Sequence, residues 1–313
     1  MDITQILGWV VVLVISLFIL VKGADYLIEG AKKIGLGLGI KPFIVGVIIV
    51  GFGTSLPELA SSIAAVIQNA PEIVIANVVG SNITNILLVV GLLAFIGGNV
   101  IIKENLIKSE LPIFFISTIH FVAAIHDGVI DRIEAILLLA TLGAYVWYIF
   151  SDSKEDSKEE KIRTKIGIKP FVFLIVGLIA VLAGANYTVE MTVNIATAFA
   201  VPVGLVSILA IAIGTSLPEL MVSLKAIKTG ETALAIGNIF GSNAFNILMV
   251  AGIPALIAPL TADVVVMEIG LTILIAASVI FFVSGLARQI MRWEGLMMII
   301  FFLFFLVKLM DYV

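Results

Sequence analysis

Ten apolar segments, each about 20 residues or longer, follow one another along the 313-residue chain. About 20 apolar residues in a helix cross the hydrocarbon core of a bilayer, so each segment is predicted to be a membrane-spanning helix. The composition agrees, because 61% of the residues are hydrophobic and only 13% are charged, against about 45–50% and about 25% in soluble domains. The predicted spans cover residues 5–32, 41–67, 73–99, 108–126, 130–150, 168–197, 202–226, 232–258, 264–286 and 292–311.

The composition also excludes several classes of protein. A soluble enzyme, a secreted module and a disordered chain all contain fewer apolar residues. The chain has no cysteine, which excludes disulfides, thiolate metal sites and cysteine nucleophiles. Its net charge is −4 and it has no block of basic residues, so no nucleic-acid partner is expected. The first residues lack the basic region and cleavage site of a signal peptide, so we expect the first span to be retained.

An internal duplication divides the chain into two halves. The hexapeptide GTSLPE at Gly53–Glu58 recurs at Gly214–Glu219, and GSN at Gly80–Asn82 recurs at Gly241–Asn243, both 161 residues later. Each half contains five predicted spans, an odd number, so the second half must enter the membrane from the opposite side. The sequence therefore predicts two inverted repeats, residues 1–150 and 166–313, joined by a charged cytoplasmic loop at 151–165.

The basic residues support this topology independently. With the N-terminus outside, fifteen Lys and Arg residues fall in the cytoplasmic loops, and only Arg132 and Lys308 fall outside. Cytoplasmic loops of membrane proteins carry such an excess of basic residues. Both termini are therefore expected to face the outside of the cell.

The repeated hexapeptides place polar groups in the middle of spans 2 and 7. Pro57 and Pro218 have no amide proton for the helical hydrogen bond to the residue four positions earlier, and a broken helix at membrane depth is tolerated where it lines a cavity or a ligand. Helical spacing puts Thr54, Ser55 and Glu58 on one face. The second copy presents the equivalent side chains of Thr215, Ser216 and Glu219.

Two buried glutamates at equivalent positions of inverted halves predict a cation site. A carboxylate near the bilayer centre costs several kcal/mol, and the symmetry of the repeats is expected to bring Glu58 and Glu219 together near the midplane. Two adjacent carboxylates repel each other, so they need a cation or protons between them.

Spans 3 and 8 contribute further oxygen and nitrogen groups at helical spacing. Small polar residues can also simply bond one helix to another, and this alternative stays open for Asn77, Asn82, Asn238 and Asn243. Asn85 and Asn246 lie deeper and are predicted to line the cation site. The ligand set of carboxylate, amide, hydroxyl and backbone oxygens favours a hard cation such as Ca²⁺. An intramembrane hydrolase would need a nucleophile and a base, which the repeated segments lack, so no enzyme is predicted.

The paired GTSLPE segments, each followed by GSN-x-x-N, resemble the α-repeats of the cation/Ca²⁺ exchanger superfamily. The chain is most similar to its prokaryotic Na⁺/Ca²⁺ exchangers, including the YrbG-like branch. The resemblance covers almost the whole chain. It implies an all-α polytopic membrane protein with ten transmembrane helices in two inverted five-helix repeats, in which helices 2, 3, 7 and 8 are broken around a midplane cation site.

The resemblance also implies a function. The protein would exchange Ca²⁺ for Na⁺ across the plasma membrane of a prokaryote by alternating access, with helices 1 and 6 sliding across the rest. Its partners would be these ions and the lipid bilayer, without a cofactor, nucleic acid or obligatory protein partner. Coupling to H⁺ or K⁺ remains an alternative, and a cation channel is less favoured.

Position by position, the resemblance implies four clustered cation sites. Ca²⁺ would be bound by the carboxylates of Glu58 and Glu219 and the backbone carbonyls of Thr54 and Thr215. The other ligands would be Ser55, Ser81, Ser216, Ser242 and the carbonyls of Gly51 and Ala212 for Na⁺, with Asn85 and Asn246 in the central site. Well-studied relatives often have Asp where this chain has Asn246, which leaves the coupling ion and its stoichiometry open.

Span 1 carries Lys22 and Asp25, whose equivalents in span 6 are Ala183 and Asn186. Both charges are lost together, so we expect a local ion pair between neighbouring turns rather than two cation ligands.

Overall fold

The computed structural model describes residues 3–67, 69–102, 110–155, 167–198, 214 and 216–311, and most of these are helical. Within those ranges, eight helices are long and apolar enough to cross a membrane. The helices in chain order are α1 (Ile3–Leu38), α2 (Pro42–Ile67), α3 (Glu72–Gly97), α4 (Glu110–Ala124), α5 (Arg132–Glu155), α6 (Ile168–Ala198), α7 (Leu217–Lys228), α8 (Thr232–Ile257), α9 (Val266–Ala287) and α10 (Arg292–Met310).

The helix bounds follow the predicted spans, but two helices run further than predicted. Helix α1 extends to Leu38, past the predicted end at residue 32, and the other is in the middle of the chain. Helix α5 continues to Glu155, five residues into the predicted loop at 151–165, because no Gly or Pro ends it. The Ser151 hydroxyl donates to the Trp147 carbonyl, one turn earlier in the same helix, at 2.9 Å. The first half of predicted span 7 lies outside the described residues, so the count of ten spans stays a prediction.

Four helices contain wide, π-helical stretches. These are Gly46–Gly51 in α2, Thr84–Val90 in α3, Asn246–Val250 in α8 and Val266–Gly270 in α9. Helix α2 is also interrupted at Ser55 (φ −83°, ψ 0°), between Phe52–Thr54 and Leu56–Ile67. The predicted breaks of α3 and α8 are π-helical stretches instead, because a wider turn accommodates an extra residue without ending the hydrogen-bonded helix.

The first halves of α2 and α8 pack with their backbones in close contact. A Cβ atom at Gly237 or Gly241 of α8 would collide with the carbonyl oxygens of Phe43 or Val47 of α2. Small residues at a helix interface allow such an approach. The contact brings the polar residues of the first half next to those of the second.

Helices α1 and α6 form a peripheral antiparallel pair. Their backbones also touch, since a Cβ at Gly23 would lie 2.7 Å from the Val181 nitrogen and one at Gly184 would lie 2.7 Å from the Leu20 nitrogen. Only 17% of the residues in the apolar stretch of α1 and 22% of those in α6 are buried, against 89% in α8. The α1–α6 pair contacts α2, α7 and α8 through a second hydrophobic cluster, which is separate from the main core.

Two short strand pairs connect the halves. Strand β1 (Val100–Ile101) pairs with β4 (Gln289–Ile290), and β2 (Val129–Ile130) pairs with β3 (Leu260–Thr261), both antiparallel. Strands β1 and β3 follow the equivalent helices α3 and α8. Because β3 and β4 flank α9, and β1 lies beside β4, the two equivalent loops lie at opposite ends of the bundle. Inverted halves would produce this arrangement.

Candidate cation site

Two glutamates lie at the centre of the helix bundle. Glu58 stands in the first turn of Leu56–Ile67 in α2 and Glu219 in the first turn of α7. Both side chains are fully buried, and their charges are close enough to interact. None of the four carboxyl oxygens has a hydrogen-bond partner among the described residues. Buried carboxylates are normally paired or bound to a metal ion, so these oxygens are suited to a cation.

The same backbone geometry positions both glutamates. Ser55 has φ −83° and ψ 0°, and Ser216 has φ −89° and ψ 2°. Each serine is followed by the sequence Leu-Pro-Glu. These three residues are the first three of a 12-residue helix. Proline is favoured in the first turn of a helix, where its missing amide would have no helical acceptor. The repeated motif therefore places each glutamate in the first turn of a new helix.

Hydroxyl groups surround the Glu219 carboxyl. The Thr54 hydroxyl lies 3.2 Å from the Asn238 side-chain oxygen, 3.2 Å from the Ser242 hydroxyl and 3.3 Å from the Gly51 carbonyl oxygen. The Glu219 carboxyl lies beside the hydroxyls of Thr54 and Ser242 without a hydrogen bond of good geometry. On the other side, the Ser216 hydroxyl donates to the Ser81 carbonyl oxygen at 3.5 Å. Oxygen groups from α2, α3, α7 and α8 therefore converge here.

Asn77 and Asn238 position the helices that carry the glutamates. The Asn77 amide donates to the Ser62 hydroxyl at 3.1 Å and to the Glu58 carbonyl at 3.4 Å. The Asn238 amide makes the equivalent bonds to Ser223 at 2.9 Å and to the Glu219 carbonyl at 3.5 Å. The helix-bonding role that was left open for these two asparagines is therefore the observed one.

The remaining asparagines divide into two pairs. Asn82 and Asn243 each donate to the carbonyl one turn earlier in their own helix, at 2.8 Å. Asn85 and Asn246 are fully buried, and neither amide atom of either side chain has a hydrogen-bond partner among the described residues. They begin or lie within the π-helical stretches that pack against α7 and against Leu56–Ile67 of α2. The ligand role predicted for these two asparagines stays a prediction.

Ten of the twelve predicted site residues lie in the described part of the chain, and all ten are buried: Gly51, Thr54, Ser55, Glu58, Ser81, Asn85, Ser216, Glu219, Ser242 and Asn246. Ala212 and Thr215 fall outside the described residues. The sequence interpretation missed Ser62 and Ser223, although both follow a glutamate by four residues and so share its helix face.

The two histidines have hydrogen-bond partners outside the predicted site. His120 contacts the Thr141 hydroxyl at 3.0 Å, and His126 lies 3.0 Å from the Ala123 carbonyl. Within the described ranges, no group of three or more His, Cys, Asp or Glu side chains could hold a metal ion. Two carboxylates with neutral oxygens suit Ca²⁺ or Na⁺ better than zinc or copper.

The fold and the buried oxygen groups define a polytopic α-helical membrane protein with a donor set suited to a hard cation. The chain belongs to the sodium/calcium exchanger protein family, whose model matches residues 8–151 and 169–310. It is 32% identical to sodium/calcium exchanger MaX1 of Methanosarcina acetivorans over 95% of this chain and 97% of that protein. It is 31% identical to inner membrane protein YrbG of Escherichia coli over 86% of each.

A solved structure has the same fold. The sodium-calcium exchanger NCX_Mj, soaked with Na⁺ and Sr²⁺, superimposes with a TM-score of 0.83 at 29% identity, covering 96% of this chain and 98% of that one. The all-α polytopic architecture predicted from the sequence is confirmed by this match.

Proposed function

We propose that this protein is an antiporter that exchanges Ca²⁺ for Na⁺ across the membrane by alternating access. The observation that carries the proposal is the buried pair of Glu58 and Glu219, whose carboxyl oxygens have no hydrogen-bond partner in the described part of the chain. Two relatives support it, because MaX1 and NCX_Mj are both named as sodium/calcium exchangers.

In this proposal the two carboxylates alternate between one Ca²⁺ and several Na⁺ ions. Ca²⁺ is bound by Glu58, Glu219 and the carbonyls of Thr54 and Thr215, since it prefers six to eight oxygen ligands. The Na⁺ ligands are Ser55, Ser81, Ser216, Ser242, Asn85, Asn246 and the carbonyls of Gly51 and Ala212. Without cations the two carboxylates repel each other, so an empty site is discouraged from switching and the two fluxes are coupled.

The test is Ca²⁺ uptake into proteoliposomes under separate Na⁺, K⁺ and H⁺ gradients. We expect an outward Na⁺ gradient to drive uptake, while a K⁺ or H⁺ gradient alone does not. External Ca²⁺ is also expected to accelerate the release of preloaded isotope, which a carrier does and a channel does not. Uptake driven by K⁺ or H⁺ instead of Na⁺ would contradict the proposed coupling ion.

We further propose that the chain has the orientation given by its basic residues, with both termini outside and residues 151–165 in the cytoplasm of a prokaryotic cell. Single cysteines introduced by Ser157→Cys and Thr261→Cys should then react with an impermeant maleimide from opposite faces of the membrane. The chain has no cysteine of its own, so the parent protein is the blank. Labelling of both positions from outside would contradict the inverted arrangement.

A further inference from the structure

Two ion pairs join α1 to α7 and to the start of α8. The Lys225 ammonium lies 2.5 Å from the Asp25 carboxylate, and Lys32 pairs with Glu231. The local pair of Asp25 with Lys22 that the sequence predicted is also present, at 3.6 Å. Lys225 is the closer partner because α7 packs against α1. The side chains of Asp25 and Glu231 are 27% and 17% exposed, so both pairs are partly shielded from solvent.

The duplicated half of the protein has no counterpart of these ion pairs. At the 161-residue spacing, Asp25 and Lys32 correspond to Asn186 and Val193, and Lys225 and Glu231 correspond to Ala64 and Ala70. None of these four equivalents carries a charge. The halves share a repeated sequence, and yet in the described part of the chain these two ion pairs lie at one end of the bundle without an equivalent at the other.

The contacts of α1 explain why such a pair matters. Helices α1 and α6 form a closely packed unit that meets the rest of the protein through its own hydrophobic cluster. Hydrophobic contacts between helices tolerate sliding, whereas an ion pair has a preferred distance and must separate when the helices move. Asp25–Lys225 and Lys32–Glu231 are therefore contacts that depend on the position of the α1–α6 unit.

We propose that these two ion pairs form a one-sided latch, which favours the access state recorded in this structure and must open when the α1–α6 unit moves. The inference rests on the proposed alternating access. Two inverted halves alone would give two states of similar free energy, and the latch makes them unequal. Partly exposed ion pairs contribute little each, so removing one should change the ratio of the two states about two- to fivefold.

Distances between spin labels on the full-length protein test the latch. One label is attached by Val172→Cys on α6 and the other by Ile101→Cys in β1; both positions are exposed, and the chain supplies no competing cysteine. In Asp25→Asn or Glu231→Gln, the population with the distance of this structure should fall about two- to fivefold relative to the other population. The exchanged pair Lys32→Glu with Glu231→Lys should restore the parental ratio.

A matched control removes a charge at the same end without touching the latch. Glu29 pairs with Lys33 at 2.5 Å within α1 itself, so Glu29→Gln should leave the distance distribution unchanged. Unchanged distributions in both Asp25→Asn and Glu231→Gln would overturn the proposal, as would an equal shift in the Glu29 variant. The distance measurement does not require transport, so the latch and the proposed function are tested separately. If the distance distribution shifts as expected but the protein shows no Na⁺-driven Ca²⁺ uptake, the latch is supported and the proposed function is contradicted.

Discussion

Replacing either Glu58 or Glu219 by glutamine is expected to lower Na⁺-driven Ca²⁺ uptake by about 100-fold or more, because each variant removes one of only two charges that face a divalent ion. Loss of about 2.7 kcal/mol of binding free energy corresponds to that factor, and Ca²⁺ affinity depends strongly on the number of charged ligands. Glutamine keeps the shape of the side chain, and both sites are fully buried, so the effect is electrostatic rather than steric.

The two variants should remain folded. The two carboxyl groups are buried close enough for their charges to interact, and one substitution removes the repulsion between them. We therefore expect the midpoint of thermal unfolding in ion-free detergent buffer to be unchanged or higher. Glu72→Gln is the matched control, because Glu72 is exposed in the first turn of α3 and should retain parental uptake. Near-normal uptake by either site variant would contradict the site assignment.

The helical architecture is largely predictable from the sequence because a bilayer requires long apolar segments. Hydropathy alone places the start of α6 at residue 168 and that of α8 at residue 232, where the structure also begins these helices. It fails at the end of α5, which runs on to Glu155. Polar residues can continue a helix into solvent, so a change in composition is not a helix end unless Gly or Pro supplies one.

The residues of the candidate site that belong to the repeated motifs can be predicted from the sequence. Glu58 and Glu219 stand out because each is a charged residue in an apolar span and each occurs in the same hexapeptide. The hydrogen bonds from Asn77 to Ser62 and from Asn238 to Ser223 depend on which faces of two helices meet. Helical spacing within one span does not contain that information.

Contacts between the two halves are the least predictable part. The Thr54 hydroxyl of one half reaches Asn238 and Ser242 of the other, and Asp25 of α1 reaches Lys225 of α7. A local rule for charges three residues apart finds Lys22, which does pair with Asp25 at 3.6 Å, but it does not find the closer partner Lys225. Such pairs follow from the packing of α2 with α8 and of α1 with α7, which depends on small residues and on the whole tertiary structure.

Asn246 offers a test of the central part of the site. Its side chain is fully buried and has no hydrogen-bond partner within the described ranges. It stands at the start of a π-helical stretch that packs against the helix of Glu58. With amides at both Asn85 and Asn246, the formal charge of the site is −2, all of it from the two glutamates. Asn246→Asp would add a third carboxyl. Because another uncompensated charge in a dry cavity is costly, we expect the new carboxyl to hold a proton at neutral pH.

The Asn246→Asp variant should therefore transport Ca²⁺ at neutral pH and acquire a new pH dependence above it. As the pH rises, the new carboxyl loses its proton and adds a negative charge close to the bound cation, so the apparent affinity for Ca²⁺ should rise by roughly tenfold. The parent amide cannot titrate and should show no such component. Asn99→Asp is the control, since Asn99 is exposed, lies outside both repeated motifs and accepts a hydrogen bond from the Arg292 backbone amide at 3.1 Å. Superimposable pH profiles of Na⁺-driven Ca²⁺ flux for the parent and the Asn246 variant would place Asn246 outside the ion-binding centre, because a third carboxyl among the ligands must change the charge that the cation meets.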